Sequence, residues 1–454
     1  MNKITFLGAG SSVFAKNVLG DCLQTDCLRE YEYALFDIDP KRLEESYMML
    51  SNINRNSNAG RAKIVKYTDR KEALRGAKYV VNAIQVGGYE PCTVTDFEIP
   101  KKYGLRQTIG DTNGIGGIFR ALRTIPVMLD FAKDMEEVCP DALFINYTNP
   151  MSMLTLAMGR ATKIKTIGLC HSHQECIPQL FRSLDLPKDG LNYKIAGINH
   201  MAWLLEITRY GEDFYPTIKK HAIEGPIYDS YAPYRGSYFP AWEGEFSPEN
   251  NDNMVRLELM KQFGYYVTES SEHSAEYYPY FIKKSHPELI DKYKIPLDEY
   301  PRRCILQTQR WNEQAEALIH NAELTHERSN EYAASIIEAL ETGKDFSFGG
   351  NVMNNGLITN LPNDCCVEVT CLANAGGIQP CHIGDLPHQL AALNMRQISV
   401  HQLVVDAALT GKKEYIYQAA LLDPHASADL TIDEIRSLVD DLIEAHGDWL
   451  PEYH

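Results

Sequence analysis

The feature that most restricts the fold lies at the start of the chain. Lys3-Ile4-Thr5-Phe6-Leu7 is an apolar run of strand length, Gly8-Ala9-Gly10-Ser11-Ser12 turns it, and Val13 to Leu23 carries a helical pattern. A second apolar run, Tyr33 to Phe36, ends in Asp37-Ile38-Asp39. A strand that enters a helix through a glycine turn and is followed by another buried strand points to a parallel, right-handed βαβ unit. Gly8 permits the tight turn, and Gly10, followed by Ser11, lets backbone approach a pyrophosphate seated on the helix N-terminus. Asp37, with Asp39 as second choice, stands where an acid binds ribose hydroxyls, which favours NAD over its phosphorylated form. The usual third glycine is replaced by Val13. The competing reading is an ordinary strand-to-helix loop with Asp as N-cap.

The rhythm continues with strand-like runs at 63–66, 79–84 and 142–146. Ligands of open α/β sheets bind outside the carboxyl ends of the strands, so residues just past each run are the site candidates. Asn82 closes over the cofactor. Asn149, in Tyr147-Thr148-Asn149-Pro150, is placed to meet a nicotinamide or a sugar hydroxyl, or is simply a helix cap. The glycines of Gly110-Asp111-Thr112-Asn113-Gly114-Ile115-Gly116-Gly117 permit close backbone approach to a ligand and bring Asp111 to the same edge. A helix is expected from Ile118 to Lys133, with Arg120 and Arg123 on it.

The run Ile164 to Ile167 leads into Gly168-Leu169-Cys170-His171-Ser172-His173, and a helical pattern follows over 178–184. Thirty residues later, Asn199-His200 ends the run Tyr193 to Ile198. Cys170 and His200 are candidates to meet on one metal ion, with His171 beside it. The competing reading is an inert buried thiol.

The chain has 454 residues, 44 Lys and Arg against 61 Asp and Glu, and a net charge of −17. That balance opposes nucleic-acid binding. No apolar run is long enough to span a membrane. The first strand begins at Lys3, leaving no room for a signal peptide, and the eleven cysteines form no paired framework. The expectation is a cytoplasmic protein with reduced thiols. From about residue 190 the βαβ rhythm stops. Helical patterns at 253–262, 305–322, 328–342, 386–410 and 431–445 predict a mixed α+β domain over 191–454, packed on a Rossmann-like NAD-binding domain over 1–190. His401 reads as a packed or interface residue.

Gly-x-Gly-Ser, Asp-Ile-Asp-Pro, Gly-Gly-Tyr-Glu-Pro, Asn-Pro-Met, Cys-His-Ser and Ile-Asn-His-Met occur in that order. Thr268-Glu269-Ser270-Ser271-Glu272-His273, Leu297-Asp298-Glu299-Tyr300-Pro301-Arg302 and His446-Gly447-Asp448-Trp449 follow. With these the chain resembles glycoside hydrolase family 4 from end to end, and within it the melibiase-type α-galactosidases. The resemblance implies an α/β fold like that of lactate and malate dehydrogenases, NAD and Mn2+ as cofactors, a small α-glycoside substrate, and a homodimer or homotetramer.

It also implies the chemistry. Oxidation of the sugar at carbon 3 acidifies the proton on carbon 2, the aglycone is eliminated, water adds, and the ketone is reduced again, unlike the two-carboxylate route of most glycosidases. Cys170 and His200 become the metal ligands and Tyr277 the base, with Tyr278 as second choice and an aromatic core strand as the bland alternative. His171 or Asp111 protonates the leaving group. Asn149 and Arg302 position substrate, Arg302 being preferred to Arg303. Glu272 and His273 contact sugar hydroxyls or stand behind the residues that do.

Two departures affect substrate choice. His173 stands where the α-galactosidase pattern has Val, which leaves α-glucosidase and α-galacturonidase or glucuronidase as alternatives, His173 then serving as a cation for a uronic acid. Residues 222–252 carry Tyr228, Tyr231, Tyr234, Tyr238, Phe239 and Trp242, either for stacking on sugar or for a surface contact. A 2-hydroxyacid dehydrogenase is the alternative from another enzyme class.

Overall fold

The computed structural model describes residues 1–228 and 252–454. Of the aromatic segment expected near the site, Tyr231, Tyr234, Tyr238, Phe239 and Trp242 lie outside the described residues.

Six strands form the N-terminal half of one sheet: β1 (Lys3–Leu7), β2 (Glu32–Phe36), β3 (Lys63–Tyr67), β4 (Tyr79–Asn82), β5 (Leu143–Asn146) and β6 (Lys165–Gly168). They pair in the order β3-β2-β1-β4-β5-β6, every pair parallel. This is the strand order of a dinucleotide-binding sheet, with its crevice where β1 and β4 diverge. β4 is buried along its whole length, as a strand covered on both faces must be.

Seven more strands continue the sheet: β7 (Leu191–Ile198), β8 (Met201–Arg209), β9 (Glu212–Asp213), β10 (Tyr266–Val267), β11 (Phe346–Met353), β12 (Cys366–Asn374) and β13 (Gly377–Pro380). They pair antiparallel, in the order β11-β12-β7-β8-β10, with β13 beside β12 and β9 beside β8. β11 joins the parallel half through one antiparallel pair, Asn351 opposite Gly168. The sheet therefore runs without interruption past residue 190. The consequence for function is local. The end of β6, which carries Cys170, is brought to the turn between β7 and β8, which carries His200.

Several element boundaries differ from expectation, among them the helix expected over 328–342, which begins at Ala333. The helix expected from Ile118 starts at Gly114 and runs to Val138. Its glycines read as loop, yet they are needed inside the first turn: a Cβ on Gly116 would collide with the Gly110 carbonyl and one on Gly117 with the Thr112 carbonyl. The helix expected from residue 305 spans Glu299–Ile319, because Pro301 is tolerated in a first turn. The helix after β6 spans His171–Ser183, so Cys170 is its N-cap rather than part of a loop. The C-terminal helix Ile432–His446 has the capping box that Thr431 and Glu434 promise.

Candidate active site

The site assembles at the carboxyl edge of the parallel strands. Gly8 has φ 85° and the N–H groups of Gly8 and Ala9 both donate to the Phe36 carbonyl, at 3.0 Å each. A Cβ on Gly8 would lie 2.8 Å from the Ala83 carbonyl oxygen, so only glycine fits between β1 and the end of β4. Gly10 N–H donates to Asp37 Oδ2 at 2.7 Å, and Asp39 N–H to Asp37 Oδ1 at 2.9 Å. Asp39 is occupied differently. It caps the helix Pro40–Asn58, accepting from the N–H groups of Lys41 and Arg42. Of the two acids, Asp37 is the one that lies against the glycine turn.

Asn82 donates to Asn146 Oδ1 at 2.8 Å and to Thr148 Oγ1 at 3.2 Å. Three buried oxygens along this edge, Ser11 Oγ, Asn82 Oδ1 and Asn149 Oδ1, have no hydrogen-bond partner. Buried polar atoms are rarely left so. Their alignment past the glycine turn suits a polar ligand lying along the crevice, and a dinucleotide is such a ligand.

Cys170 and His200 meet. Cys170 Sγ lies 3.2 Å from His200 Nε2, both side chains buried. His200 is the second residue of the two-residue turn between β7 and β8, with φ 62°, and this left-handed backbone turns its ring toward β6. The other ring nitrogen, Nδ1, lies 3.2 Å from the Tyr277 hydroxyl. Tyr277 ends the helix Ser271–Tyr277, where the alternative reading had an aromatic strand, and it is fully buried.

Glu269 and His273 complete the cluster. Glu269 Oε2 is 3.4 Å from His200 Nε2, and Oε1 accepts from Ser270 N–H at 2.7 Å. The His200 and His273 rings meet edge to face with centroids 4.8 Å apart. His273 Nε2 lies 3.8 Å from Asp111 Oδ1. Asp111 also accepts from Thr112 Oγ1 at 2.7 Å and Asn149 Nδ2 at 3.4 Å. Behind it, Arg120 donates to the Asn149 carbonyl and the Tyr300 hydroxyl.

The electrostatics follow from this crowding. Burial opposes ionisation of Cys170, but the imidazole of His200 outweighs it and holds the thiol below its ordinary value. Burial likewise opposes charge on His200, which Cys170, Glu269 and Asp111 raise to about 10. Burial also resists charge on Glu269, yet His273 and His200 bring it down to about 2. Glu368 on β12 is pushed far above the carboxylate range, first by burial and then by Cys170. The Cys170 thiolate and the carboxylates of Asp111 and Glu269 thus press on two imidazoles and Arg120, with Glu368 neutral behind them. A divalent cation fits that excess of buried negative charge. Cys170, His200 and Glu269 each offer a ligand atom within 4.8 Å of the others, as do Asp111, His200 and His273.

Other expected residues sit apart from this cluster. His171 faces Glu331, with Nε2 3.0 Å from both carboxylate oxygens, and its ring lies between Tyr147 and Tyr332. Burial lowers its basicity, Glu331 more than restores it, and the net result is about 9. Arg302 is partly exposed and forms two hydrogen bonds to Glu299. Arg303 is the more enclosed of the two, bridging Glu299 and Glu272. His401 is buried and bonds Asn113 at 2.7 Å. Tyr278, like Tyr277, is buried, but its hydroxyl finds no partner.

His173 is not a cation. It is buried against β11, where a Cβ on Gly349 would collide with its ring, and burial alone lowers its pKa to about 4. A neutral imidazole packed on a strand supplies no positive charge for a sugar carboxylate.

Sequence reasoning passed over Glu269, Glu368 and Glu276. Glu269 stands four residues before His273, just ahead of the helix Ser271–Tyr277 that carries the histidine. Glu368 is a lone acid in Cys366-Val367-Glu368-Val369, a run with no local signal for a buried carboxylate. Glu276 accepts from the N–H groups of Thr108, Ile109 and Gly110, and so holds the loop that carries Asp111.

The family models for family 4 glycosyl hydrolases match residues 3–186, and those for their C-terminal domain residues 195–426. The chain belongs to glycosyl hydrolase family 4. Among relatives in this family, it is 59% identical over 453 residues to an α-galactosidase of Bacillus subtilis, covering the whole of both chains. In structure it is similar to a 6-phospho-α-glucosidase from gut microorganisms in complex with NAD and Mn2+, with TM-score 0.77 and 22% identity over the whole of both chains. Its fold is also similar to that of malate dehydrogenase from Plasmodium falciparum, with TM-score 0.52 and 14% identity, over 92% of this chain and all of that one. Among the described residues no helix is long and apolar enough to cross a membrane.

Proposed function

We propose that this chain is an α-galactosidase that hydrolyses small α-galactosides with the help of NAD and Mn2+. The observation that carries the chemistry is the meeting of Cys170 and His200 beside Tyr277, at the edge of a dinucleotide-type sheet. The galactoside itself rests on the 59% identity to the Bacillus subtilis α-galactosidase.

Gly8, Gly10, Ser11, Asp37 and Asn82 would hold NAD, and Cys170 and His200 the metal. When bound, these groups supply a hydride acceptor and donor for carbon 3 of the sugar and a Lewis acid for its neighbouring hydroxyls. The residues of the chain do the rest. With His200 Nε2 turned to Cys170, Nδ1 carries the hydrogen and donates to the Tyr277 oxygen at 3.2 Å. That bond favours the phenolate, but burial and the carboxylates of Asp111, Glu276 and Glu269 hold the Tyr277 hydroxyl well above its ordinary value, so Tyr277 would take the proton from carbon 2 only with a cation bound beside it. Asn149 and Asp111 are held together at 3.4 Å and form the polar wall that orients sugar hydroxyls. His171, kept protonated by Glu331, serves as the acid for the leaving group; Asp111, with burial opposed by His273 and held below its ordinary value, is charged and suits the role less. Arg302, the residue preferred for positioning substrate, is engaged by Glu299, and Arg303 by both Glu299 and Glu272.

The test is release of p-nitrophenol from the α-galactoside, α-glucoside and α-galacturonide, with and without NAD+, Mn2+ and reductant. Release from the galactoside only with all three supports the reading, and Cys170→Ser and His200→Ala then abolish it while NAD binding survives. Release from another sugar with the same requirements moves the substrate. NADH accumulating on a 2-hydroxy acid, with no p-nitrophenol, replaces the reading with a dehydrogenase.

A further inference from the structure

We propose that Glu269 is a third protein ligand of the metal, joining Cys170 and His200, and that its carboxylate is what fits the site to Mn2+. The proposal rests on the function just described, since it assumes that Cys170 and His200 hold a divalent ion.

The geometry is that of a preformed tripod. Cys170 Sγ to His200 Nε2 is 3.2 Å and His200 Nε2 to Glu269 Oε2 is 3.4 Å. Ligands at about 2.1 Å from one ion and at right angles to one another lie roughly 3 Å apart, so both separations suit adjacent corners of one coordination sphere. The three ligand atoms lie within 4.8 Å of one another. They come from three separate elements: the N-cap of the helix after β6, the turn between β7 and β8, and the segment leading into the helix Ser271–Tyr277. Nothing in the local backbone requires three such groups to converge.

The two carboxylate oxygens of Glu269 divide the work. Oε1 is pinned by Ser270 N–H at 2.7 Å and lies 3.6 Å from His273 Nδ1, which itself bonds Ser270 Oγ at 2.7 Å. Anchored this way, the side chain directs Oε2 at the same His200 nitrogen that faces the thiol. A ligating carboxylate held by hydrogen bonds to its other oxygen is the usual arrangement around metals. The donor chemistry argues the same way. A thiolate and an imidazole are soft and borderline ligands that favour Zn2+ or Cd2+, whereas Mn2+ prefers oxygen. Glu269 supplies the hard, anionic oxygen that the other two lack. It leaves the remaining corners open for sugar hydroxyls and water. The second group of donors, Asp111 and His273 with the same His200, is more committed elsewhere, Asp111 to Thr112 and Asn149 and His273 to Ser270.

The experiment uses the full-length protein stripped of metal in the presence of reductant. Mn2+ is titrated and the free ion followed by its electron paramagnetic resonance signal, and Cd2+ is titrated separately through the ultraviolet charge-transfer band of the cadmium–thiolate bond. The parent protein binds both. Glu269→Gln is expected to weaken Mn2+ about 100-fold, the upper end of what even an outer partner of a metal ligand contributes, while the cadmium–thiolate band forms with affinity within about threefold of the parent. Mn2+ affinity within about threefold of the parent overturns the proposal, and so does a parallel loss of Mn2+ and Cd2+, which would mark Glu269 as a structural support. Should Glu269→Gln not fold, Glu269→Asp keeps the charge but withdraws the oxygen by one methylene, and the same preferential loss of Mn2+ is expected; unchanged Mn2+ binding there overturns it equally. A parent protein that binds neither ion removes the metal-dependent reading itself, an outcome distinct from failure of Glu269 alone.

Discussion

Removing Asp96 is expected to cost more stability than any surface substitution in the chain. Its carboxylate accepts from Arg123 Nη1 at 3.1 Å and Nη2 at 2.6 Å, and His446 Nε2 lies 2.9 Å from Oδ1. The Arg123 and Asp96 side chains are 0% and 2% exposed. The three residues belong to three helices, Val94–Lys102, Gly114–Val138 and Ile432–His446, and the His446 contact to Asp96 ties the C-terminal helix to the N-terminal half. Asp96→Leu strands a buried guanidinium whose other bond in this region runs to the Val86 carbonyl. Breaking a buried pair from one side costs about 3–5 kcal/mol, whereas replacing both partners with apolar groups is often close to neutral. Asp96→Leu and Arg123→Met are therefore each expected to lose about 3–5 kcal/mol, and the double variant less than their sum by about 2 kcal/mol or more. Urea titration followed by tryptophan fluorescence measures this. The loss is expected to persist in 1 M salt, because a pair this buried is poorly screened. Single-variant losses below about 1 kcal/mol, or strict additivity in the double variant, refute the reasoning.

Three further outcomes are expected. Tyr277→Phe, which removes only a buried hydroxyl, is expected to lower kcat by roughly 10²–10⁴-fold with NAD binding intact, as measured by p-nitrophenol release and NAD titration. Gly349→Ala is expected to destabilise the protein by about 1–3 kcal/mol because the new methyl meets the His173 ring; His173→Val, which opens that space, is expected to recover most of the loss and to leave the preference for galactoside over galacturonide unchanged. Burial lowers His173 to about 4, His401 to about 3 and His425 to about 4. These residues favour the neutral form when folded, so their contribution is complete above the unfolded value near 6.5 and is lost as pH falls toward those values. Each adds about 1.4 kcal/mol per pH unit to the slope of stability between pH 6 and 4.5, and His401→Phe is expected to reduce that slope by about one proton in acid titrations of unfolding.

The parts of this fold that were legible in the sequence are those governed by local rules. β1, Gly8 and Asp37 could be read because a buried parallel strand, a glycine that must be small and an acid at the next strand end leave signatures within forty residues. Cys170 and His200 were legible as the ends of two strands, although their contact depends on β11 and β12 lying between β6 and β7, which no local pattern encodes. The carboxylates were another matter. Glu269, Glu276 and Glu368 look like any solvent-facing acid until the chain closes over them, since an acid in a sequence carries no mark of what will bury it. Arg302 was placed at the site by the residues beside it, yet its partner Glu299 turns it to a task of its own, and that His171 is held protonated could not be read because its partner Glu331 lies far away in sequence. The Tyr277 run defeated periodicity, because a seven-residue helix ending in aromatics shows neither the period of a helix nor that of a strand.

The most direct test of the account is the fate of the proton on carbon 2. Hydrolysis of p-nitrophenyl α-galactoside would be carried out in D2O with NAD+ and Mn2+, and the released galactose examined by NMR. If Tyr277 removes that proton before the aglycone leaves, the product carries deuterium at carbon 2, and neither deuterium nor hydrolysis is found without NAD+. Galactose released at full rate with its carbon 2 proton retained would contradict the account and place the enzyme with glycosidases that displace the aglycone directly.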